Sequence, residues 1–330
     1  MSDQLSLFPI GSPSETARRA SADEEALEAR FDRLREVATR LPPTLRMGTS
    51  SWSFPGWRGI VYPGERTATW LAREGLRHYA RHPLLRTVGI DRSYYAPITE
   101  DELRRYADQL PDDFVCCAKA PASVTSYTAP RSGQPEANPD FLSANRFAEE
   151  VLDPFARAFA RNTGPFILQF PPLPQRATLD PHAFAEMLDG FLDALPRSCE
   201  FAVELRDRSL LTDAYRRVLA RNAAVHVNNY WTAMPMPGEQ ADLVRAQDAP
   251  FVMVRLLMRP GTRYEQQRQQ MAPFNRIVQQ DEHMRRDVTA LLARALGAGQ
   301  RAFVLVNNKA EGSSPLTIEA IAERLAAGVQ

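Results

Sequence analysis

Only two of the 40 basic residues in this 330-residue sequence are lysines, Lys119 and Lys309. Arginine supplies a permanent charge, whereas the compact lysine ammonium gives up its proton when buried or crowded by other cations. A chain that uses arginine almost everywhere marks these two positions for chemistry. Each closes a short apolar run, "DFVCCAKA" and "RAFVLVNNK", and other polar residues do the same elsewhere. In order, the runs end on Ser50 with Trp52, Asp91 with Tyr94 and Tyr95, Lys119, Gln169, Glu204 with Arg206 and Asp207, Asn228 with Asn229, Arg255, and Asn307 with Asn308 and Lys309. Lys119, Glu204 and Asp91 are the candidate catalytic groups of a metal-independent acid–base step, with Lys119 carrying a proton or stabilising negative charge. Trp52, Tyr95, Gln169, Arg206, Asn228, Arg255, Asn307 and Asn308 are the candidate ligand-binding groups. Arg206 and Arg255 suit a phosphate or carboxylate. The alternative for the same residues is a buried ion-pair network that stiffens the fold.

Bringing these groups together requires elements of one kind. From Thr44 onward, "TLRMGTSS", "LLRTVGID", "DFVCCAKA", "PFILQF", "CEFAVELR", "AAVHVNN", "PFVMVRLL" and "RAFVLVN" alternate with amphipathic stretches such as 141–161, 182–195 and 281–296. Near-continuous apolar runs fit parallel strands covered on both faces, and eight βα units predict an α/β fold, a TIM (β/α)8 barrel. Active sites in that fold form where strands end, which is where the polar groups fall. The Pro-, Gly- and Gln-rich connections 120–139, 230–250 and 259–274 are expected as loops above the barrel mouth. Residues 1–20 read as a flexible tail, 21–43 as a linker helix stopped by Pro42-Pro43, and 44–330 as the barrel.

Composition excludes several classes. Formal net charge is zero, which argues against a broad electrostatic grip on nucleic acid. No apolar run approaches the ~20 residues of a membrane helix, and the N-terminus lacks the features of a secretory signal, so a cytoplasmic protein is expected. Cys116, Cys117 and Cys199 have no metal or redox spacing and read as reduced core thiols. His78 and His82 could share one helix face but have no strand-end carboxylate beside them, and His226 lies inside a strand run, so neither a metal nor a cofactor is expected. Gly-rich loops of the dinucleotide or Walker type are absent. The segment Glu311-Gly312-Ser313-Ser314-Pro315 suits either backbone donors to a phosphate or a plain N-cap. Trp52, Trp57, Tyr62, Tyr94, Tyr95, Tyr127, Tyr230 and Trp231 fall in connections, where they could stack on a base or sugar or pack as a lid.

Taken together and in order, "GTSSWSFPGWRGIVYPG", "VGIDRSYYAP", "FVCCAKAPASVT", "ILQFPP", "FAVELRDRS", "VMVRL" and "VLVNNKAEG" resemble the YecE-like family called domain of unknown function 72. The resemblance runs from about Arg46 to the last helix. It implies a TIM barrel with a site at the strand C-termini and supplies no reaction. Of the family's pattern, Tyr95, Lys119, Gln169, Glu204, Arg206, Arg255, Asn307, Asn308 and Gly312 are present. Gly89 stands where the family has Glu, Thr125-Ser126 where it has Thr-His, Arg206-Asp207 where it has Arg-His, and Arg255-Leu256-Leu257 where it has Arg-Leu-His. The loss of these three histidines argues against a metal site or imidazole proton transfer at this mouth of the kind other members would use.

The tail carries a second resemblance. "QLSLF" is similar to the peptide by which bacterial replication and repair proteins dock on the DNA sliding clamp. That implies a hydrogen bond from Gln4 and an apolar pocket filled by Leu5, Leu7 and Phe8. A clamp tether would raise the local concentration of the barrel at DNA without phosphate contacts of its own. The expectation is thus a YecE-like barrel of unassigned activity, tethered to the clamp in DNA maintenance, whose mouth takes a phosphate-, nucleotide- or sugar-containing ligand. A metal-independent hydrolase, lyase or isomerase of sugar phosphates with an accidental tail match, or a non-catalytic adaptor, are the alternatives.

Overall fold

The computed structural model describes residues 15–128, 137–172 and 179–328. Eight strands, β1 (Leu45–Thr49), β2 (Leu85–Ile90), β3 (Val115–Ala118), β4 (Phe166–Phe170), β5 (Phe201–Leu205), β6 (Val225–Tyr230), β7 (Phe251–Leu256) and β8 (Arg301–Val306), follow the eight apolar runs. All pair in parallel, in the order β3-β2-β1-β8-β7-β6-β5-β4. The remaining seam, β3 to β4, closes through Gly164 N–H to the Cys116 carbonyl and Ala120 N–H to the Ile167 carbonyl, both at 2.9 Å. Lys119 pairs with Ile167 across this seam. The result is a nearly closed TIM-type barrel.

Burial on both faces explains the apolar strands. Cys117, Ile167, Ala202, Val225, Val227, Phe251, Met253, Phe303 and Leu305 fill the interior, while a larger cluster lies between the sheet and the helices. One close approach needs glycine: β1 shifts register between Met47 and Gly48, and a Cβ on Gly48 would stand 1.8 Å from the Thr87 carbonyl oxygen.

The helices start on side-chain caps. Thr67, Thr99, Asp180, Thr212 and Asp281 each accept a backbone N–H of the first turn, which satisfies donors that the helix itself leaves unpaired. The stretch expected as a helix over 141–161 is helical from Ala144 to Ala158 but opens into a π turn at Ala148–Leu152. Pro154 sits just beyond and cannot donate, so the ladder there is re-paired. The connection 230–250, expected as a loop above the mouth, instead contains the helix Pro237–Val244 packed on β6. Pro at a first helical position is favourable, so the Pro-Gly pair reads there as a helix start. Within 259–274 lies the helix Tyr264–Met271, with Gln267 and Met271 buried.

Before the barrel comes α1 (Glu15–Thr39). Its Leu27, Phe31, Leu34 and Val37 are buried in the same cluster as the barrel helices. Arg30 pairs with Glu319 of the last helix, and the Phe31 ring stands edge-on to His82, centroids 5.1 Å apart. α1 is therefore packed against the barrel. No helix among the described residues is long and apolar enough to cross a membrane.

Candidate active site

Period-two alternation decides which strand-end side chains enter the barrel. Ala202 and Glu204 share one face of β5, Met253 and Arg255 one face of β7, and Ile167 and Gln169 one face of β4. The first member of each pair belongs to the interior cluster, so Glu204, Arg255 and Gln169 form the next layer toward the mouth. Asp91 and Lys119 follow the ends of β2 and β3.

These residues are joined into one chain of ion pairs that crosses the barrel. Arg206 Nε donates to Glu204 Oε1 at 2.5 Å, and the other carboxylate oxygen accepts from Arg255. Arg255 Nη2 donates to Asp91 Oδ1 at 3.2 Å, and Asp91 in turn stands 3.3 Å from Lys119 Nζ. Arg206 Nη2 also donates to Gln169 Oε1 at 3.1 Å. Charges alternate along the chain, and both ends are cations. Glu204 and Arg255 are the deepest members at 0% exposure, while Lys119 and Arg206 at the two ends each keep 8% and Asp91 is half-buried.

This arrangement sets the proton affinities. Burial pushes the Glu204 carboxyl up, but Arg206, Arg255 and Lys119 together outweigh burial and hold it at about 2. Burial depresses Lys119 to about 8; Asp91 and Glu204 oppose the fall, and Arg255 and Arg206 reinforce it. Near neutral pH, Glu204 is a fixed anion and Lys119 is close to giving up its proton.

Aromatic rings stand beside the cations. Lys119 Nζ lies 5.3 Å from the Tyr94 ring centre, the Arg206 guanidinium 4.1 Å from that of Trp231, and Lys309 Nζ 4.5 Å from that of Tyr264. Tyr95 meets Tyr94 edge-on and is 80% exposed. The Ser93 hydroxyl is 2.7 Å from the carbonyl oxygens of both Ile90 and Lys119, tying the ends of β2 and β3 together.

Other strand-end residues have different surroundings. Trp52 is buried, its indole N–H donating to the Leu71 carbonyl at 2.9 Å and its ring edge-on to Tyr106. Asn308 Oδ1 accepts from Trp57, from Ser314 N–H and from the Ser314 hydroxyl, so it fastens the last helix. Asn307 accepts the Lys309 N–H as an N-cap. Asn228 has the parity of His226 rather than of Val225 and Val227. It borders a cleft of ≈ 360 Å³ shared with Arg216, Leu219 and Val244, outside the sheet. Its neighbour Asn229 has the interior parity, donates to the Leu205 carbonyl and leaves Oδ1 without a partner among the described residues. Trp231, Tyr264, Ser93 and Asn229 are mouth residues that strand ends alone do not single out; for Asn229, alternation counted forward from Val225 is the available signal.

The segment Glu311–Pro315 is buried, and the Glu311 carbonyl accepts from Val278 N–H and Gln279 N–H. Arg285 clamps the Glu311 carboxylate from the neighbouring helix. These are bonds of a helix start held under a covering strand of chain. His226 bonds Tyr215 at 2.8 Å and Gln240 at 3.0 Å. Because Gln240 Oε1 can only accept, Nε2 carries a proton; burial depresses the ring's pKa to about 4, which keeps it neutral near pH 7. His82 is buried against Phe31, and Cys116 and Cys117 are buried free thiols. Among the described residues, no three His, Cys, Asp or Glu side chains are grouped to hold a metal ion. Gln4, Leu5, Leu7 and Phe8 lie outside the described residues.

Fold and site together define a TIM-type (β/α)8 barrel with a charged mouth. The family model described as "Protein of unknown function DUF72" matches residues 46–330, and the chain belongs to that family. Among solved structures, a DUF72 family protein from Thermotoga maritima aligns with a TM-score of 0.60 at 16% identity, over 85% of this chain and 97% of that one. A DUF72 family protein from Enterococcus faecalis aligns with a TM-score of 0.55 at 14% identity, over 86% and 97%. At such identities the likeness concerns the fold. No curated protein matches the sequence.

Proposed function

We propose that the barrel mouth binds an anionic ligand, the phosphate or carboxylate of a sugar or nucleotide, and that Lys119 exchanges a proton with it in a metal-independent step of a hydrolase, lyase or isomerase. One observation carries this reading: the ion-pair chain from Arg206 to Lys119 ends on a cation at both sides, and these two cations keep the solvent access that Glu204 and Arg255 lack. Among the described residues, three cations against two carboxylates leave the network one positive charge in surplus while Lys119 is protonated. A network built only for stiffness needs no surplus and no lysine. Glu204 fixes both arginines, Asp91 serves as the proton partner of Lys119, and Gln169 orients Arg206. Trp52, Asn228, Asn307 and Asn308 act in this reading by holding the strand ends rather than by touching ligand. The test is a thermal-shift screen of sugar phosphates and nucleotides on the full chain. A stabilising ligand whose effect disappears in a folded Lys119→Met variant supports the reading, and a ligand that stabilises both equally sinks the role of Lys119.

A second proposal rests on the tail. Gln4, Leu5, Leu7 and Phe8 match every position of the clamp-docking peptide they resemble, which favours a tether to the bacterial DNA sliding clamp and a place in DNA replication or repair. Anisotropy titration of a labelled Met1–Pro13 peptide against the clamp tests it. Micromolar binding lost in the Leu7→Ala/Phe8→Ala peptide is the expected result, and absence of binding leaves the barrel without a link to DNA.

A further inference from the structure

We propose that Lys119 is an imine-forming lysine, whose Nζ condenses with the carbonyl carbon of an anionic aldehyde or ketone of the α-keto acid or ketose phosphate class. The proposal rests on the anion-binding reading of the mouth and names the substrate class of that same site.

The first argument is the residue type. An electrostatic role at position 119 would be filled by arginine, as it is at positions 206 and 255 and at all but two of the basic positions in the chain. Of lysine and arginine, only the primary amine of lysine condenses with a carbonyl to an imine; the guanidinium does not.

Geometry supplies the second argument. The two arginines of the network are held in carboxylate pairs within the barrel, but Lys119 Nζ has a single charged partner among the described residues, Asp91 at 3.3 Å. Its three N–H directions are therefore not used up. Its backbone is fixed by the Ser93 hydroxyl at its carbonyl and by the Ala120 bond across the β3–β4 seam. An amine carried on a fixed strand end, with buried Cys117 and Ile167 below it, is held for a directed attack rather than left to wander. Nearby Arg255 and Arg206 work with burial to favour the neutral amine.

Asp91 completes the proton balance. It accepts the ammonium proton, leaving the Nζ lone pair to form the C–N bond as the carbonyl π electrons move to oxygen. The carbinolamine oxygen takes that proton back from Asp91 and a second one from the cationic Nζ, relayed through Asp91, and leaves as water while the freed nitrogen lone pair closes the C–N double bond of the iminium, which keeps the third proton. Arg206, whose carboxylate partner is on the buried side, holds the anionic group of the substrate.

The sequence makes the test unusually readable, because its primary amines are Lys119, Lys309 and the N-terminus. The full chain is incubated at pH 7.5 with pyruvate or dihydroxyacetone phosphate and sodium cyanoborohydride, then digested and mapped by mass spectrometry. The hydride reduces the iminium to a stable secondary amine. Reduced adduct on Lys119 in excess over Lys309 by about tenfold or more, competed by inorganic phosphate and absent from Lys119→Arg, is the expected result. Adduct spread over the three amines as it is in urea, or none on Lys119, overturns the proposal. Calorimetric binding of inorganic phosphate in the same preparation separates the two claims. Phosphate binding without adduct removes the imine chemistry alone, whereas loss of both removes the anion-binding reading with it.

Discussion

Lys119 Nζ and the Asp91 carboxylate meet at 3.3 Å across the ends of two adjacent strands, yet burial still holds this ammonium at about 8 against an ordinary 10.5. The unfolded chain keeps the lysine charged to about pH 10.5 and the folded chain only to about 8. Between those values the unfolded state binds the extra proton, so stability rises with pH; below about 8 the full cost of burying the charge is carried. The stability difference between wild type and Lys119→Met, from urea unfolding at both ends of that window, is expected to shift in favour of wild type by roughly 3 kcal/mol. A difference that stays flat with pH contradicts a buried lysine titrating near 8.

Glu204 behaves in the opposite sense. Its carboxyl is held at about 2, below its ordinary 4.5, by Arg206, Arg255 and Lys119 against the pull of burial. The stabilisation is present above about pH 4.5 and is lost as pH falls toward 2. Glu204→Gln leaves Arg255 fully buried with Asp91 as its one charged partner among the described residues. It is expected to cost about 3–5 kcal/mol near neutral pH, with the penalty shrinking in acid. Chemical denaturation at pH 7 and pH 3 measures both.

Two glycines should respond with opposite sign. Gly48→Ala drives a Cβ into the Thr87 carbonyl within the β1–β2 pair, and a loss of about 3 kcal/mol follows from forcing backbone apart in a packed sheet. Gly190, exposed in the helix Pro181–Asp193, meets nothing within 4 Å, so Gly190→Ala is expected to gain about 0.5–1 kcal/mol. Thermal unfolding of the two variants checks the pair.

The N-terminal helix is expected to unfold with the barrel. Phe31 is buried between α1 and His82, and truncating a buried phenylalanine costs about 3–5 kcal/mol. A Phe31→Ala variant that melts as wild type does would mean that α1 is dispensable to the barrel.

Much of this architecture is legible in the sequence because burial on both faces writes each strand as an apolar run, and the first polar residue after it marks the mouth. Asp91, Lys119, Gln169, Glu204, Arg206 and Arg255 could be named in that way. What strand ends alone do not reveal is parity and pairing. Asn228 and Asn229 are adjacent in sequence but face opposite sides of the sheet, and only the alternation from Val225 separates them. Trp52 and Asn308 carry polar atoms that are spent on Leu71, Trp57 and Ser314, bonds between segments distant in the chain. Tyr264 enters the mouth from a helix whose Gln-rich sequence reads as a loop, and the helix Pro237–Val244 begins on a Pro-Gly pair that ordinarily signals a turn.

The anion site is tested most directly by isothermal titration of inorganic phosphate into the full chain and into Arg206→Gln, with circular dichroism confirming that the variant is folded. Saturable binding by wild type, weakened about tenfold or more by loss of one charged hydrogen-bond donor, is the expected result. No binding by wild type, or equal affinity in the folded variant, would contradict the assignment of the barrel mouth as an anion site.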